Sequence, residues 1–126
     1  MNIIDSLNAL RRDYGKQKFD EKTALDNPFE QFSIWFDEAI NAGFLDVNAM
    51  TLATADKNGK PSARIVLLKD YNETGYVFFT NYESRKGQEL ADNPNASLLF
   101  FWDKLERQIR IEGRVEKITS EESYAY

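Results

Sequence analysis

The chain has 126 residues, 42% of them apolar and 29% charged, with a net charge of −5, no cysteine and no histidine. This composition predicts one globular domain, and the acidic charge argues against a general nucleic-acid or anionic-membrane binder, which needs many cationic contacts. The lack of cysteine excludes a disulfide framework and a thiolate nucleophile. The lack of histidine excludes the Ser-His-Asp triad and His-bearing zinc motifs, so we assign no catalytic residue and no metal site.

The N-terminal stretch predicts a short helix and then a polar arm. In residues 2–13 apolar side chains recur at helical spacing, and Gly15 ends the pattern. Residues 16–26 are polar and of mixed charge, which favours a loop or mobile arm. We see no secretion signal, and the longest apolar run, 97–102, is too short to cross a bilayer. We therefore expect a cytoplasmic protein without membrane contact.

A second helix is marked at both ends. Asn27 predicts an N-cap, Pro28 the first helical position and Gly43 the end. Between them an apolar stripe recurs at helical spacing: Phe29, Phe32, Ile34, Trp35, Phe36, Ala39 and Ile40. Such a stripe is more typical of core packing than of a ligand site.

Residues 49–80 predict a three-stranded antiparallel meander. The strands are expected at 49–55, 62–68 and 76–80. Asn58-Gly59 predicts a type I′ turn between the first two, because both central residues of that turn need positive φ. Residues 70–75 predict the second turn.

A third helix is predicted from a cap at Ser84 to Asp92, with Leu90 and Ala91 facing inward, and Asn93-Pro94 ends it. Two strands follow, at 95–102 and at 108–117. The first is apolar enough for burial on both faces, while the second alternates and contains Gly113, which suggests a bulge.

The last residues carry a helix-start signal. Thr119-Ser-Glu-Glu122 is a capping box, and the helix that it predicts has only begun at Tyr126. We therefore expect either a truncated chain or the first part of a longer protein.

Four cationic residues lie at the ends of one predicted strand and at the start of one predicted helix. Arg64 and Lys69 flank an apolar run, and Arg85 and Lys86 lie in the first turn after Ser84. Cations at a helix start oppose the helix dipole, and an anionic ligand would relieve this. We interpret the four as a site for a phosphate-bearing cofactor such as a flavin nucleotide. A buried strand and an ordinary helix start would account for the same residues.

Seven short motifs resemble, in order and spacing, those of the pyridoxamine 5′-phosphate oxidase family. They are Ala49-Met-Thr-Leu-Ala-Thr54, Arg64-Ile-Val-Leu-Leu-Lys69, Phe79-Thr80-Asn81, Ser84-Arg85-Lys86, Asn93-Pro94, Ser97-Leu-Leu-Phe100 and Leu105-Glu-Arg-Gln108. Leu10-Arg-Arg-Asp-Tyr14 is similar to the family's N-terminal arm. The resemblance implies a mainly β (α+β) fold, an antiparallel FMN-binding split β-barrel with flanking helices. The barrel domain would span 27–126, incomplete at its C-terminus, after a helix and arm at 1–26.

The resemblance also implies an activity. Family members are FMN-dependent oxidases that convert pyridoxamine or pyridoxine 5′-phosphate to pyridoxal 5′-phosphate. A hydride passes from C4′ of the substrate to the flavin, and O2 reoxidises the flavin to give H2O2. They are homodimers that bind FMN in a cleft between the subunits. The family's later segment, with an Arg-x-His substrate motif, has no counterpart in this sequence.

Site residues follow from the resemblance position by position. Those implied for the cofactor are Arg64, Ile65, Val66, Leu67, Leu68, Lys69, Phe79, Thr80, Arg85, Lys86 and Gln108. Those implied for the substrate are Arg11, Arg12, Asp13, Tyr14, Lys69 and Tyr126. Two alternatives stay open: another FMN-binding split-barrel protein, such as a flavin reductase or a non-catalytic flavin binder, and a cofactor-free β-barrel interaction module.

Overall fold

The computed structural model describes residues 3–10, 24–80, 85–118 and 124–125. The helices in this part of the chain are Ile3–Ala9 (α1), Pro28–Asn41 (α2) and Arg85–Asp92 (α3). The strands are Ala49–Ala55 (β1), Pro61–Asn72 (β2), Gly75–Phe78 (β3), Asn95–Trp102 (β4), Arg107–Arg114 (β5) and Tyr124–Ala125 (β6). A 3₁₀ helix, Asp103–Leu105, joins β4 to β5.

The strands form one antiparallel sheet in the order β5-β4-β1-β2-β3-β6. The predicted meander of β1, β2 and β3 is confirmed by the two ladders that join them. Strand β2 is longer than predicted and continues to Asn72, with a register shift between Leu68 and Asp70. Such a bulge bends the strand and re-aims the side chains beside it.

Side-chain alternation gives the sheet two faces. The face that we call the inner face is buried: Met50, Leu52, Val66, Leu68, Leu98, Phe100 and Trp102. The outer face carries exposed apolar side chains: Ile65, Leu67 and Phe101. The prediction that 95–102 is buried on both faces is therefore wrong, since Phe101 is 59% exposed.

Helix α2 covers one end of the inner face. The Asn27 side chain accepts hydrogen bonds from the backbone N–H groups of Phe29 and Glu30, and Gly43 has a φ of 79° just past the helix. Both predicted ends are thus confirmed. Phe32 is 3% exposed and forms the centre of the contact. Its ring lies 5.0 to 6.1 Å, between centroids, from four rings of the sheet: Tyr71, Tyr76, Phe100 and Trp102.

The predicted stripe of α2 is wider than the contact that it makes. Phe32 and Ala39 are buried, and Phe29, Trp35 and Phe36 pack against the core. Ile34 and Ile40 are about half exposed. Burial raises the pKa of the Tyr76 phenol in this aromatic cluster to about 12, with a smaller contribution from Tyr71. The Tyr76 phenol therefore keeps its proton to a higher pH than an exposed tyrosine does.

The turn between β1 and β2 is not the predicted type I′ turn. Gly59 has a φ of 86°, but Asn58 has no positive φ. Instead Gly59 N–H donates to the Asp56 carbonyl, Asp56 N–H donates to the Lys60 carbonyl, and the Asp56 carboxylate accepts from the backbone of Asn58 and Lys60. This is the three-residue hairpin loop with glycine in the left-handed position. The aspartate side chain stabilises it, which the Asn-Gly signal alone does not reveal.

Two further predictions about single residues are wrong. Leu90 of α3 is buried as expected, but Ala91 is exposed. Gly113 pairs with Ala96 in regular register and forms no bulge.

The C-terminal end of the chain differs from expectation where it is described, whereas the helix predicted within residues 2–13 is confirmed as α1. Tyr124–Ala125 form strand β6, paired with Phe78 and Val77, so these two residues do not continue the helix predicted from the capping box. The apolar side chains of α1, Ile3, Ile4 and Leu7, are exposed. The predicted cap at Ser84, the capping box itself and residues 11–23 lie outside the described residues. No described helix has the length and apolar character needed to cross a membrane.

Candidate functional site

The run Arg64–Lys69 does not present its side chains to a single site. Arg64, Val66 and Leu68 point to the inner face, while Ile65 and Leu67 point to the outer face. Val66 and Leu68 belong to the core, each 6% exposed. Lys69 is exposed and lies in the bulge between Leu68 and Asp70. A ligand beside this run would therefore meet Arg64 and Lys69 as its cations.

Arg64 is held by a set of polar groups on the inner face, which we call the Arg64 cluster: Thr54, Ser62, Arg64 and Glu89. Arg64 Nη1 donates to Thr54 Oγ1 at 2.8 Å and to the Leu52 carbonyl at 3.3 Å. Arg64 Nη2 donates to Ser62 Oγ at 3.2 Å and to Glu89 Oε2 at 3.3 Å. The guanidinium is thus oriented by four acceptors from two strands and one helix.

Glu89 is the negative member of this cluster and is nearly buried. Its side chain is 6% exposed, against 21% for Arg64. Glu89 Oε2 accepts hydrogen bonds from the hydroxyls of Thr54 and Ser62, each at 2.6 Å. These donors and the arginine compensate the desolvation of the carboxylate, which would otherwise be costly.

Glu89 was not predicted from the sequence, because Leu90 and Ala91 were expected to be the inward-facing residues of α3. Two signals point to it in retrospect. Thr54 and Ser62 are directly opposite each other in the β1–β2 ladder, so the hairpin register brings two hydroxyls together beside Arg64. Glu89 also follows Arg85 by four residues, which puts both on one side of α3.

The start of α3 lies close to this cluster along the chain. Arg85 and Lys86 are the first two residues of the helix, and their side chains lie outside the described part. Glu89, which Arg64 contacts, is one turn further on, about 6 Å along the axis. The backbone therefore brings Arg64 to the helix that begins with the predicted cation pair.

Lys69 lines a cavity of about 520 Å³ together with Asp70, Asn72, Thr74, Gly75, Val77, Phe79, Glu116 and Ile118. Its ammonium lies 5.8 Å from the centroid of the Phe79 ring. Val77, in the wall of this cavity, pairs with Ala125 of β6. The two predicted site residues Lys69 and Phe79 are thus brought together, next to the end of the described chain.

Gln108 and Arg64 do not meet within one chain. Gln108 is exposed on β5, opposite Phe101 of β4, and so lies on the outer face. Arg64 points to the inner face of β2.

The remaining predicted site residues lie elsewhere. Thr80, half-buried, follows β3. Tyr126 and the arm residues Arg11, Arg12, Asp13 and Tyr14 lie outside the described residues, so their predicted roles stay predictions.

Comparison with known proteins gives one family. The family model described as pyridoxamine 5′-phosphate oxidase matches residues 36–126. A curated relative from Burkholderia thailandensis, named pyridoxine/pyridoxamine 5′-phosphate oxidase, is 59% identical over 123 residues. The match covers 98% of this chain but 58% of the relative, so the chain spans little more than half the length of the protein that it resembles.

Solved structures share the fold. PhzG from Burkholderia lata, in complex with tetrahydrophenazine-1-carboxylic acid, matches 84% of this chain and 53% of its own with a TM-score of 0.78 and 29% identity. A pyridoxamine 5′-phosphate oxidase-related, FMN binding protein from Nostoc punctiforme matches 78% of this chain and 50% of its own, with a TM-score of 0.64 and 21% identity. The predicted antiparallel split barrel with flanking helices is confirmed.

Proposed function

This chain belongs to the pyridoxamine 5′-phosphate oxidase family, and we propose that it is the FMN-binding part of an oxidase acting on pyridoxamine or pyridoxine 5′-phosphate. The products are pyridoxal 5′-phosphate and H2O2, with O2 as the acceptor. The observation that carries this proposal is the 59% identity with the relative of that name over nearly the whole chain.

The residues of the described part fit a phosphate-bearing, planar cofactor. Arg64 offers a guanidinium that is already oriented, and α3 begins nearby with two cationic residues at a helix N-terminus, which favours an anion. Guanidinium groups and helix N-termini are both common phosphate-binding elements. We propose that Arg64, Arg85 and Lys86 hold the FMN phosphate and that Phe79 and Thr80 contact the ring. When bound, the flavin supplies the hydride-accepting chemistry.

We propose the cavity at Lys69 for the substrate. Its volume is in the range of small-ligand pockets, and it offers one ammonium beside one aromatic ring. Lys69 would bind the substrate phosphate by charge. Tyr126 and the arm residues Arg11 to Tyr14 would complete the contacts.

We propose that two copies of the chain pair through the outer face and that FMN lies between them. Ile65, Leu67 and Phe101 are exposed apolar side chains on this face in the single chain, and such contiguous surfaces favour association. The position of Gln108 supports the pairing, because on this face it is remote from Arg64 of its own chain. Gln108 would then contact FMN held mainly by the partner subunit.

An absorption scan and a titration with FMN test the cofactor. We expect a yellow protein or saturable binding of added FMN, and a chain that binds no FMN would refute the proposal. Sedimentation of the chain and of the variant Phe101→Asp tests the pairing: the wild type should be a dimer and the variant a monomer. A monomeric wild-type chain at all concentrations would contradict it.

A different substrate for the same flavin site is the alternative. The PhzG structure, 29% identical, holds tetrahydrophenazine-1-carboxylic acid, so related barrels are compatible with other ligands. Peroxide formation from pyridoxamine and pyridoxine 5′-phosphate, measured with the protein as its gene encodes it, separates the two. FMN binding without peroxide from either phosphate would favour the alternative.

A further inference from the structure

The Arg64 cluster contains a charged group that neither the core nor the proposed ligand contacts require. Glu89 is 5% exposed, and its carboxylate accepts hydrogen bonds from one residue of β1 and one of β2. Apolar residues in place of both Glu89 and Arg64 would often stabilise a fold as well or better, because a buried ion pair gains little after its desolvation cost. The position of the carboxylate therefore calls for a role beyond stability.

The hydrogen bonds of Glu89 have a fixed direction. The hydroxyls of Thr54 and Ser62 each have one proton, and both donate it to Glu89 Oε2 at 2.6 Å. Their lone pairs are then available to Arg64, which donates to Thr54 Oγ1 at 2.8 Å and to Ser62 Oγ at 3.2 Å. The carboxylate thus turns two hydroxyls into acceptors and so fixes the guanidinium.

We propose that Glu89 is a positioning residue for phosphate binding: with Thr54 and Ser62, it holds the Arg64 guanidinium in the orientation in which it meets the phosphate of FMN. This inference rests on the proposed function, since it takes FMN as the ligand. A free arginine side chain has many rotamers, and ordering it before binding removes an entropy cost from the binding step.

Glu89 could act through its charge or by positioning Arg64, and the two roles predict opposite changes in FMN affinity when Glu89 is removed. Glu89 cancels the charge of Arg64, so without it the local charge becomes more positive. If charge alone mattered, FMN would then bind more tightly. If Glu89 acts by positioning, FMN binds more weakly, and riboflavin, which lacks the phosphate, binds as before. The sign of the change therefore distinguishes the two roles.

The experiment titrates the wild-type chain and its variants with FMN and, separately, with riboflavin. For Glu89→Ala we expect about tenfold weaker FMN binding, since the guanidinium loses its carboxylate acceptor and the hydroxyls of Thr54 and Ser62 lose the group that orients them. Riboflavin affinity should stay unchanged. Glu89→Gln should remain within about threefold of the wild type, because the amide oxygen can accept the same two hydroxyl bonds. Gln88→Ala is the matched control: Gln88 is exposed on the same helix and contacts Asp92, and its loss should change neither affinity.

Each other outcome overturns the inference. Tighter FMN binding by Glu89→Ala would show that Glu89 acts through its charge, and unchanged FMN binding would show that it does not position Arg64 for the phosphate. An equal loss of FMN and riboflavin affinity would show a purely structural role. A wild-type chain that binds neither flavin would overturn the proposed function and this inference with it, whereas an unchanged Glu89→Ala in a chain that binds FMN overturns the inference alone.

A second variant keeps the test decisive if Glu89→Ala does not fold. Ser62→Ala retains both charges and removes one bridge between them. We expect about threefold weaker FMN binding with unchanged riboflavin binding. In the background of Arg64→Ala the same Ser62→Ala change should have no further effect, since the group that it positions is gone. Additive losses in the double variant would overturn the inference.

Discussion

Helices α2 and α3 both cover the inner face of the sheet, but they do so with different chemistry. Helix α2 inserts Phe32 among four aromatic rings of the sheet. Helix α3 inserts the carboxylate of Glu89 among two hydroxyls and a guanidinium. Apolar burial is strong and without direction, whereas hydrogen bonds are weaker in net terms and fix orientation. Helix α2 therefore mainly stabilises the domain, whereas α3, which also buries Leu90, orients the groups around the proposed phosphate site.

The largest expected effect is on stability and lies at α2. Phe32→Ala removes the ring at the centre of the aromatic contact, and we expect a loss of about 3–5 kcal/mol in the free energy of unfolding. Ile34→Ala on the same helix, 46% exposed, should change it by about 0.5 kcal/mol or less. Urea titrations of both variants measure the difference. Similar losses in the two would mean that α2 is not anchored through Phe32.

The second effect is a pH dependence of the same contact. The raised pKa of Tyr76, about 12, means that the native state keeps its proton where the unfolded state has lost it. The contribution of Tyr76 to the free energy of unfolding is complete below pH 10. It is lost as the pH rises from 10 to 12, a total loss of about 2–3 kcal/mol.

Other groups also titrate in this range, so Tyr76→Phe serves as the control. Unfolding midpoints of wild type and variant should diverge above pH 10, with the wild type losing more. Parallel curves would argue against a buried phenol at this position.

The third effect concerns the start of α3 and is on binding rather than stability. Arg85→Glu reverses a charge at the proposed phosphate site, and we expect FMN affinity to fall at least about tenfold. The unfolding free energy should change little, in contrast to Phe32→Ala. Fluorescence titration with FMN measures the affinity, and unchanged binding would remove Arg85 from the site.

The smallest expected effect on stability concerns an exposed ion pair, in contrast to the buried pair of Arg64 and Glu89. Arg110 and Glu112 form an ion pair at 2.9 Å in which both side chains are about two-thirds exposed. Glu112→Gln should lower the unfolding free energy by about 1 kcal/mol or less, since solvent and salt screen such pairs. The change should shrink further in high salt. A larger, salt-insensitive loss would show that exposure does not distinguish this pair from that of Arg64 and Glu89.

Local signals predicted most element boundaries correctly. Asn27, Pro28 and Gly43 mark the ends of α2 because capping depends on residues within one turn. Strands β1 and β4 have the predicted bounds, and the hairpin between β1 and β2 is where Asn58-Gly59 indicated, although with a different turn type. The wrong turn type has a local cause as well: the Asp56 side chain binds the loop backbone.

The site was predictable only as a set of residues and not as an arrangement. The motif from Arg64 to Lys69 is visible in the sequence, but strand alternation and the bulge divide it among the inner face, the outer face and the cavity at Lys69. Glu89 escaped notice because its partners, Thr54 and Ser62, are 35 and 27 residues away in the chain.

The sequence by itself determined where the helices and most strands lie, that the domain is an antiparallel barrel of this family, and which cations flank the proposed site. Those features depend on caps, periodicity and short motifs, which a few neighbouring residues encode. The tertiary structure alone decided that Arg64 is paired with a buried carboxylate, that Gln108 lies on the other face, and that Tyr124–Ala125 pair with β3. Pairing across the sheet joins residues that are distant in the chain, and the local sequence around a residue does not identify its partner.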